Sequence, residues 1–297
     1  MEIAGMEMAE RGPSQPGTTI AVLLGDTANP FWQSKVEAYR RQAPDWGFEV
    51  VFREGEDPRD PEAQAEALRA LYREGFGAVI LNPLRSDNLV PELRSAPVPV
   101  LDVGPKCDPA LVRDLAGYYP LWVADFEEQG ALAAEAVLSQ SPSPREGWAI
   151  LVAGFPGARQ SEGRCRGALR TLRRFFPAER ILTVHADFDR SRARAALREL
   201  STRLDVRAVS CANDLMALGA LEAFEERGVT PPPIGGVDAI PEALEALRQG
   251  RLAGTVGIDP EAVVRGVYEA VSEVLAGRSP CGLSKGPLVR SVLYRGG

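Results

Sequence analysis

Short apolar runs recur at near-regular intervals along this chain, and each is followed by a turn and then a stretch of helical periodicity. Runs at 20–24, 48–52, 78–81 and 98–103 come first, with helical patterns such as 60–74 between them. That segment opens with Asp60-Pro61, a cap and a first-turn residue, and stops at Gly75. After 122–125 the rhythm starts again. Helix 127–138, strand 148–152, helix 163–175, strand 181–185, helix 191–203, strand 208–211 and helix 215–227 follow in order. Strand 234–237, helix 241–249, a run at 254–258 and helix 260–276 complete the count. Strands that alternate with helices imply βαβ units and parallel sheets, here two doubly wound α/β domains of Rossmann-like architecture.

The length agrees, since 297 residues is about twice a typical domain. A net charge of −7 opposes the electrostatic capture on which non-specific nucleic-acid binding depends, so no nucleic-acid partner is expected. Arginines cluster at 159–174 and 190–198, chiefly as solvated helix faces. Cys107, Cys165, Cys211 and Cys281 lack zinc-ligand spacing, and His185 is the single histidine, so no metal site is expected. No run is long and apolar enough to insert into a membrane. Residues 1–17 lack the basic-then-apolar order of a secretory signal and are expected to be a flexible leader.

In doubly wound sheets, ligands bind in the crevice beyond the carboxyl ends of the strands. The residues at those ends here are Asp26 and Asn29-Pro-Phe31-Trp32, Asn82-Pro83, Asp102, 154–164, 186–189, Asn213-Asp214 and Asp238. Phe31 and Trp32 are adjacent at a helix start, about 100° apart around the axis, so both are core only if that turn is buried all round. Asn, Asp and Arg can each bind neighbouring hydroxyls, and aromatic rings offer flat faces to the C–H side of a sugar. Taken singly, Asn29 and Asn213 also read as N-caps and Asp238 as a turn residue. Fingerprints for dinucleotides, nucleoside triphosphates and serine hydrolases are absent, and no cofactor or catalytic residue is assigned. Gly154-Phe-Pro-Gly157 reads as a turn before it reads as a phosphate cradle.

Four stretches carry a family resemblance: NPFW at 29–32, ADFDR at 186–190, ANDLMALGALEA at 212–223 and GVDAIPEALEALRQGRLAGTV at 236–256. Together, in order over about 18–277, they resemble the type I periplasmic sugar-binding proteins of the ribose-binding kind. The resemblance implies a non-enzymatic two-lobe clamp with three crossings, near 122–125, 258–259 and 286–289. The first lobe would hold 18–123 and 259–287, the second 124–258 and 288–297. A monosaccharide or polyol would be captured by hinge closure. The closed monomer would deliver it to an ABC permease or chemoreceptor outside the cytoplasm.

The resemblance further implies that Asn29, the Phe31–Trp32 pair, Arg164, Phe188, Asn213 and Asp238 contact the sugar. Departures also stand out. Gly104 and Pro105 occupy the place of an Asp-Arg pair, Ile258 that of the hinge glutamine, and Val237 that of an aromatic. Such losses remove hydrogen bonds worth about 0.5–3 kcal/mol each and argue against ribose itself. Asp26, Asp102 and Lys106 are the further candidates to restore contacts. An intracellular sugar sensor, or the effector half of a LacI-type regulator without its DNA-binding part, is the alternative reading.

Overall fold

The computed structural model describes residues 18–104, 106–141, 147–280 and 287–296. Pro105, Cys281, Gly286 and the expected leader 1–17 lie outside the described residues. In chain order the first half holds β1 (Thr18–Leu23), α1 (Pro30–Gln42), β2 (Phe48–Arg53), α2 (Pro61–Glu74), β3 (Ala78–Leu81) and α3 (Val90–Leu93). It continues with β4 (Val100–Val103), α4 (Pro109–Val112) and β5 (Tyr118–Leu121). The second half holds α5 (Phe126–Gln140), β6 (Trp148–Ala153), α6 (Arg159–Leu172), β7 (Ile181–His185), α7 (Arg190–Arg203) and β8 (Val206–Cys211). Then come α8 (Asp214–Glu225), β9 (Ile234–Val237), α9 (Pro241–Arg248), β10 (Gly254–Gly257), α10 (Pro260–Leu275) and β11 (Val292–Arg295).

The strands form two sheets, ordered β2-β1-β3-β4-β5 and β11-β10-β9-β8-β6-β7. Every described pairing is parallel except β10 with β11. Both sheets reverse winding beside their first strand, between β1 and β3 and between β6 and β8, which places a ligand crevice at those carboxyl ends. Both sheets are also buried on two faces, because alternate residues enter different cores. Ile20, Val22 and Leu24 join one cluster while Ala21 and Leu23 join another. Ile150 and Val152 are likewise separated from Ala149 and Leu151.

The chain passes between the sheets three times. It leaves the first sheet after β5, returns after β10, and sends α10 into the first core through Val263, Val267 and Val271. It then crosses again to reach β11, with the amides of Leu288 and Val289 donating to the carbonyls of Trp122 and Val123. Two strands escaped the sequence pattern, and both lie at sheet edges. Pro120 sits inside β5, where a missing N–H is tolerated, and β11 is only four residues long and largely exposed. Helix α6 begins at Arg159, four residues before the expected 163, and ends at Leu172.

Candidate functional site

Loops from both sheets enclose a cavity of about 110 Å³ at the carboxyl ends of the strands. On the first-lobe side, the turn after β1 ends in Asn29, whose Oδ1 accepts from the Phe31 amide at 3.0 Å and caps α1. The cap aims the first turn of α1 at the cavity. Phe31 and Trp32 meet edge to face there, 5.1 Å between centroids. Trp32 packs on the first lobe's core, whereas Phe31 reaches across and packs on the second lobe's core. Adjacent rings at a helix start are therefore explained by two bodies that meet on them.

On the second-lobe side, Arg164 projects from α6 and is 7% exposed. Its Nε donates to Gln129 Oε1 on α5 (3.0 Å), Nη1 to the Ala212 carbonyl after β8 (2.7 Å) and Nη2 to Asp238 Oδ1 (3.2 Å). Three of the five guanidinium N–H groups are thus committed, which fixes the plane and leaves two for a solute. Asp238 has φ 122° and Ala239 φ 52°, a strained turn that needs anchoring. Buried Asp214 supplies the anchor by accepting from the Ile240 amide and the Thr255 hydroxyl, whose oxygen in turn accepts from the Ala239 amide. Burial and the neighbouring Asp238 charge push Asp214 up to about 7.

A second strained turn follows β7, with Asp187 at φ 53° and Phe188 at φ 58°. It lays the Phe188 ring over Gly154, where any Cβ would come within 2.3 Å of the ring. Asn213 ties the turn in place. Its Oδ1 caps α8 through the Met216 amide (3.0 Å) and its Nδ2 donates to the Phe188 carbonyl (3.5 Å). One side chain thus caps α8, ties the turn and lines the cavity.

Of the residues singled out in the sequence, Asn29, Phe31, Trp32, Arg164, Phe188, Asn213 and Asp238 all line this one cavity. Asp26 and Lys106 line it too, as does Ile258. Asp102 does not. It is fully buried behind the wall, and its Oδ2 accepts from the Lys106 and Cys107 amides (both 2.8 Å) and the Tyr118 hydroxyl (2.6 Å). Its work is to shape the loop that carries Lys106.

Strand-end reasoning missed Lys35, Phe126 and Gln129, which also line the cavity. Lys35 lies six residues into α1, beyond the loop, but it is four residues after Phe31 and three after Trp32, which puts it on their face. Its ammonium sits 4.5 Å from the Phe31 centroid and 5.4 Å from that of Trp32. Burial, reinforced by the nearby Lys106 charge, lowers its pKa to about 7. The unfolded chain therefore binds more protons than the native state between about pH 7 and the ordinary lysine value of 10.5, so Lys35 makes stability rise with pH across that window. Lys35→Met should remove that slope and stabilise the solute-free protein at pH 7 by roughly 1–4 kcal/mol. Urea denaturation from pH 6 to 10 reads this, and an unchanged or lower stability at pH 7 would contradict it.

The lobes also touch around the cavity. Arg59 pairs with Asp189 at 2.6 Å, Arg159 Nη1 donates to the Cys107 carbonyl at 3.2 Å, and the Ser86 amide donates to the Gly157 carbonyl at 3.1 Å. No described helix is long and apolar enough to cross a membrane.

Comparison with known proteins agrees with this geometry. Residues 20–279 match the periplasmic binding protein domain. The chain is 26% identical over 246 residues to the D-allose-binding periplasmic protein of Escherichia coli (strain K12), covering 81% of this chain and 79% of that one. It is 27% identical over 274 residues to the ribose import binding protein of Bacillus subtilis (strain 168), covering 90% and 86%. Its fold superposes with a TM-score of 0.81 on an ABC transporter periplasmic solute binding protein from Actinobacillus succinogenes 130z with bound D-allose, at 21% identity, covering 95% and 98%. Two doubly wound lobes, a cavity closed between them and a family match over most of the chain lead to one conclusion: this protein belongs to the periplasmic binding protein family, with the type I architecture.

Proposed function

We propose that this protein captures a monosaccharide or polyol between its lobes and delivers it to an ABC permease or a chemoreceptor, as a monomer working outside the cytoplasmic membrane. The observation that carries the reading is the convergence, on one interlobe cavity, of Phe31, Trp32 and Phe188 with Arg164, Asn213 and Asp238. Ring faces and paired hydrogen-bonding groups are the two things a hydroxylated ring needs. Solute-binding relatives with bound D-allose, myo-inositol and tagatose support the class. The lobes are taken as 18–123 with 259–287, and 124–258 with 288–297. Closure is a hinge motion at the three connecting segments, favoured because Phe31 and Arg164 contact the solute from opposite lobes only when shut.

A thermal-shift screen against pentoses, hexoses, inositols, sugar alcohols and sugar acids tests the reading. A solute at 100 times its Kd should stabilise the protein by about 2.7 kcal/mol, a shift of a few degrees at this size. No shift from any member of the panel would overturn it.

A further inference from the structure

The cavity holds more positive charge than it holds partners for. Arg164 and Asp238 neutralise one another. Lys35 and Lys106 are 6% and 7% exposed, and among the described residues neither ammonium has a hydrogen-bond or ion-pair acceptor. Their neighbours are ring faces: Phe31 and Trp32 for Lys35, and Trp32 at 4.9 Å for Lys106. Ring faces attract a cation but supply no counter-charge. The remaining acids do not close the gap. Asp187 pairs with Arg192, and Asp26, at the half-buried rim, is not among the charges that chiefly act on either lysine. Asp102, when ionised, acts on Lys106 from behind the wall, so neither ammonium is directly paired within the cavity.

Hydroxyls can accept hydrogen bonds from these ammoniums but leave the charge uncompensated. An anionic group supplies both. We propose that the solute is an anionic monosaccharide, a sugar acid or sugar phosphate, whose carboxylate or phosphate is held by Lys35 and Lys106 while Arg164, Asn213 and Asp238 bind its hydroxyls. The inference rests on the sugar-capture reading above and narrows it.

The same groups give a pH signature. Lys35 faces Lys106, Arg164 and Asp238, and Lys106 faces Asp102, Arg164, Asp238 and the Cys107 thiol, which burial keeps protonated. Burial lowers Lys106 to about 8, as it lowers Lys35 to about 7. Both lysines are therefore poised to lose charge above neutrality, and affinity for an anion should fall between pH 6.5 and 9.5.

Isothermal titration with D-gluconate, D-glucuronate and D-ribose 5-phosphate, against D-glucose, D-ribose, D-allose and xylitol, decides the matter. An anion should bind at least about tenfold tighter than its neutral parent, and the acid and phosphate arms identify which group is held. Lys35→Met and Lys106→Met should each shrink that ratio about tenfold. Neutral sugars binding as well as or better than every anion would overturn the charged-solute proposal and leave sugar capture standing. Failure of both sets to bind would remove both.

Discussion

Replacing Arg164 with methionine should destabilise the protein by about 3–5 kcal/mol and weaken solute binding at least a hundredfold. The side chain is buried at the junction of three elements, and its removal strands Asp238, the Gln129 carbonyl and the Ala212 carbonyl at once. Asp238 suffers most. Burial already raises its pKa, and the Arg164 charge is the main force opposing that rise. Without Arg164 the pKa climbs further, so the native variant binds more protons than its unfolded chain between the ordinary value of 3.8 and the raised one. Stability of the variant then falls as pH rises through that window. The deficit against the parent should be smallest near pH 4 and largest at neutrality. Asp238→Asn added to Arg164→Met should recover much of the stability but none of the affinity, which separates the two roles of the arginine. Urea unfolding at pH 4 and 7, with titration of a solute that the parent binds, reads all of this. A single variant within about 1 kcal/mol of the parent at pH 7 would contradict it.

That double role was legible only in part: the segment after β6 and the family likeness both pointed to Arg164 as a hydroxyl binder, and neither pointed to its structural ties. Periodicity places it on α6, where most arginines are solvated, and nothing local says that this one turns inward. The strands were easier to see because two-sided burial leaves continuous apolar runs such as Ala78–Leu81. Edge strands β5 and β11 lack that signal, since one carries Pro120 and the other is exposed. Cavity-lining residues in the turns after strands were legible by position, Asp238 and Phe188 among them. Lys35 was not, because its place is fixed by helix rotation relative to Phe31 and Trp32 and not by any strand end. Asp102 shows the converse. It stands at a strand end like the others, yet local amides and Tyr118 occupy it, and only coordinates reveal which way a carboxylate faces.

The strain at the second lobe's two turns and the placement of Arg164 depend on a rigid support, and the closest packing in the support is between α5 and α6. A Cβ on Gly130 would lie 1.8 Å from the Arg164 carbonyl oxygen, and one on Gly167 would lie 1.9 Å from that of Glu127. Each helix thus uses a glycine to seat the other's backbone, and backbone cannot yield as a side-chain tip can. Gly167→Ala should therefore destabilise the protein by about 3 kcal/mol or more, even though alanine is the better helix former by about 1 kcal/mol. Gly266→Ala on α10 is the control, since its Cβ would meet only the Leu288 side chain at 3.2–3.7 Å. That change should stay within about 1 kcal/mol of the parent. Gly130→Ala pushes on the Arg164 backbone itself, so it should lower solute affinity as well as stability. Parallel denaturation of the three variants separates packing from propensity. Equal stability of Gly167→Ala and Gly266→Ala would show that α5 and α6 can part without loss, and Arg164 would then have to be held by its hydrogen bonds alone.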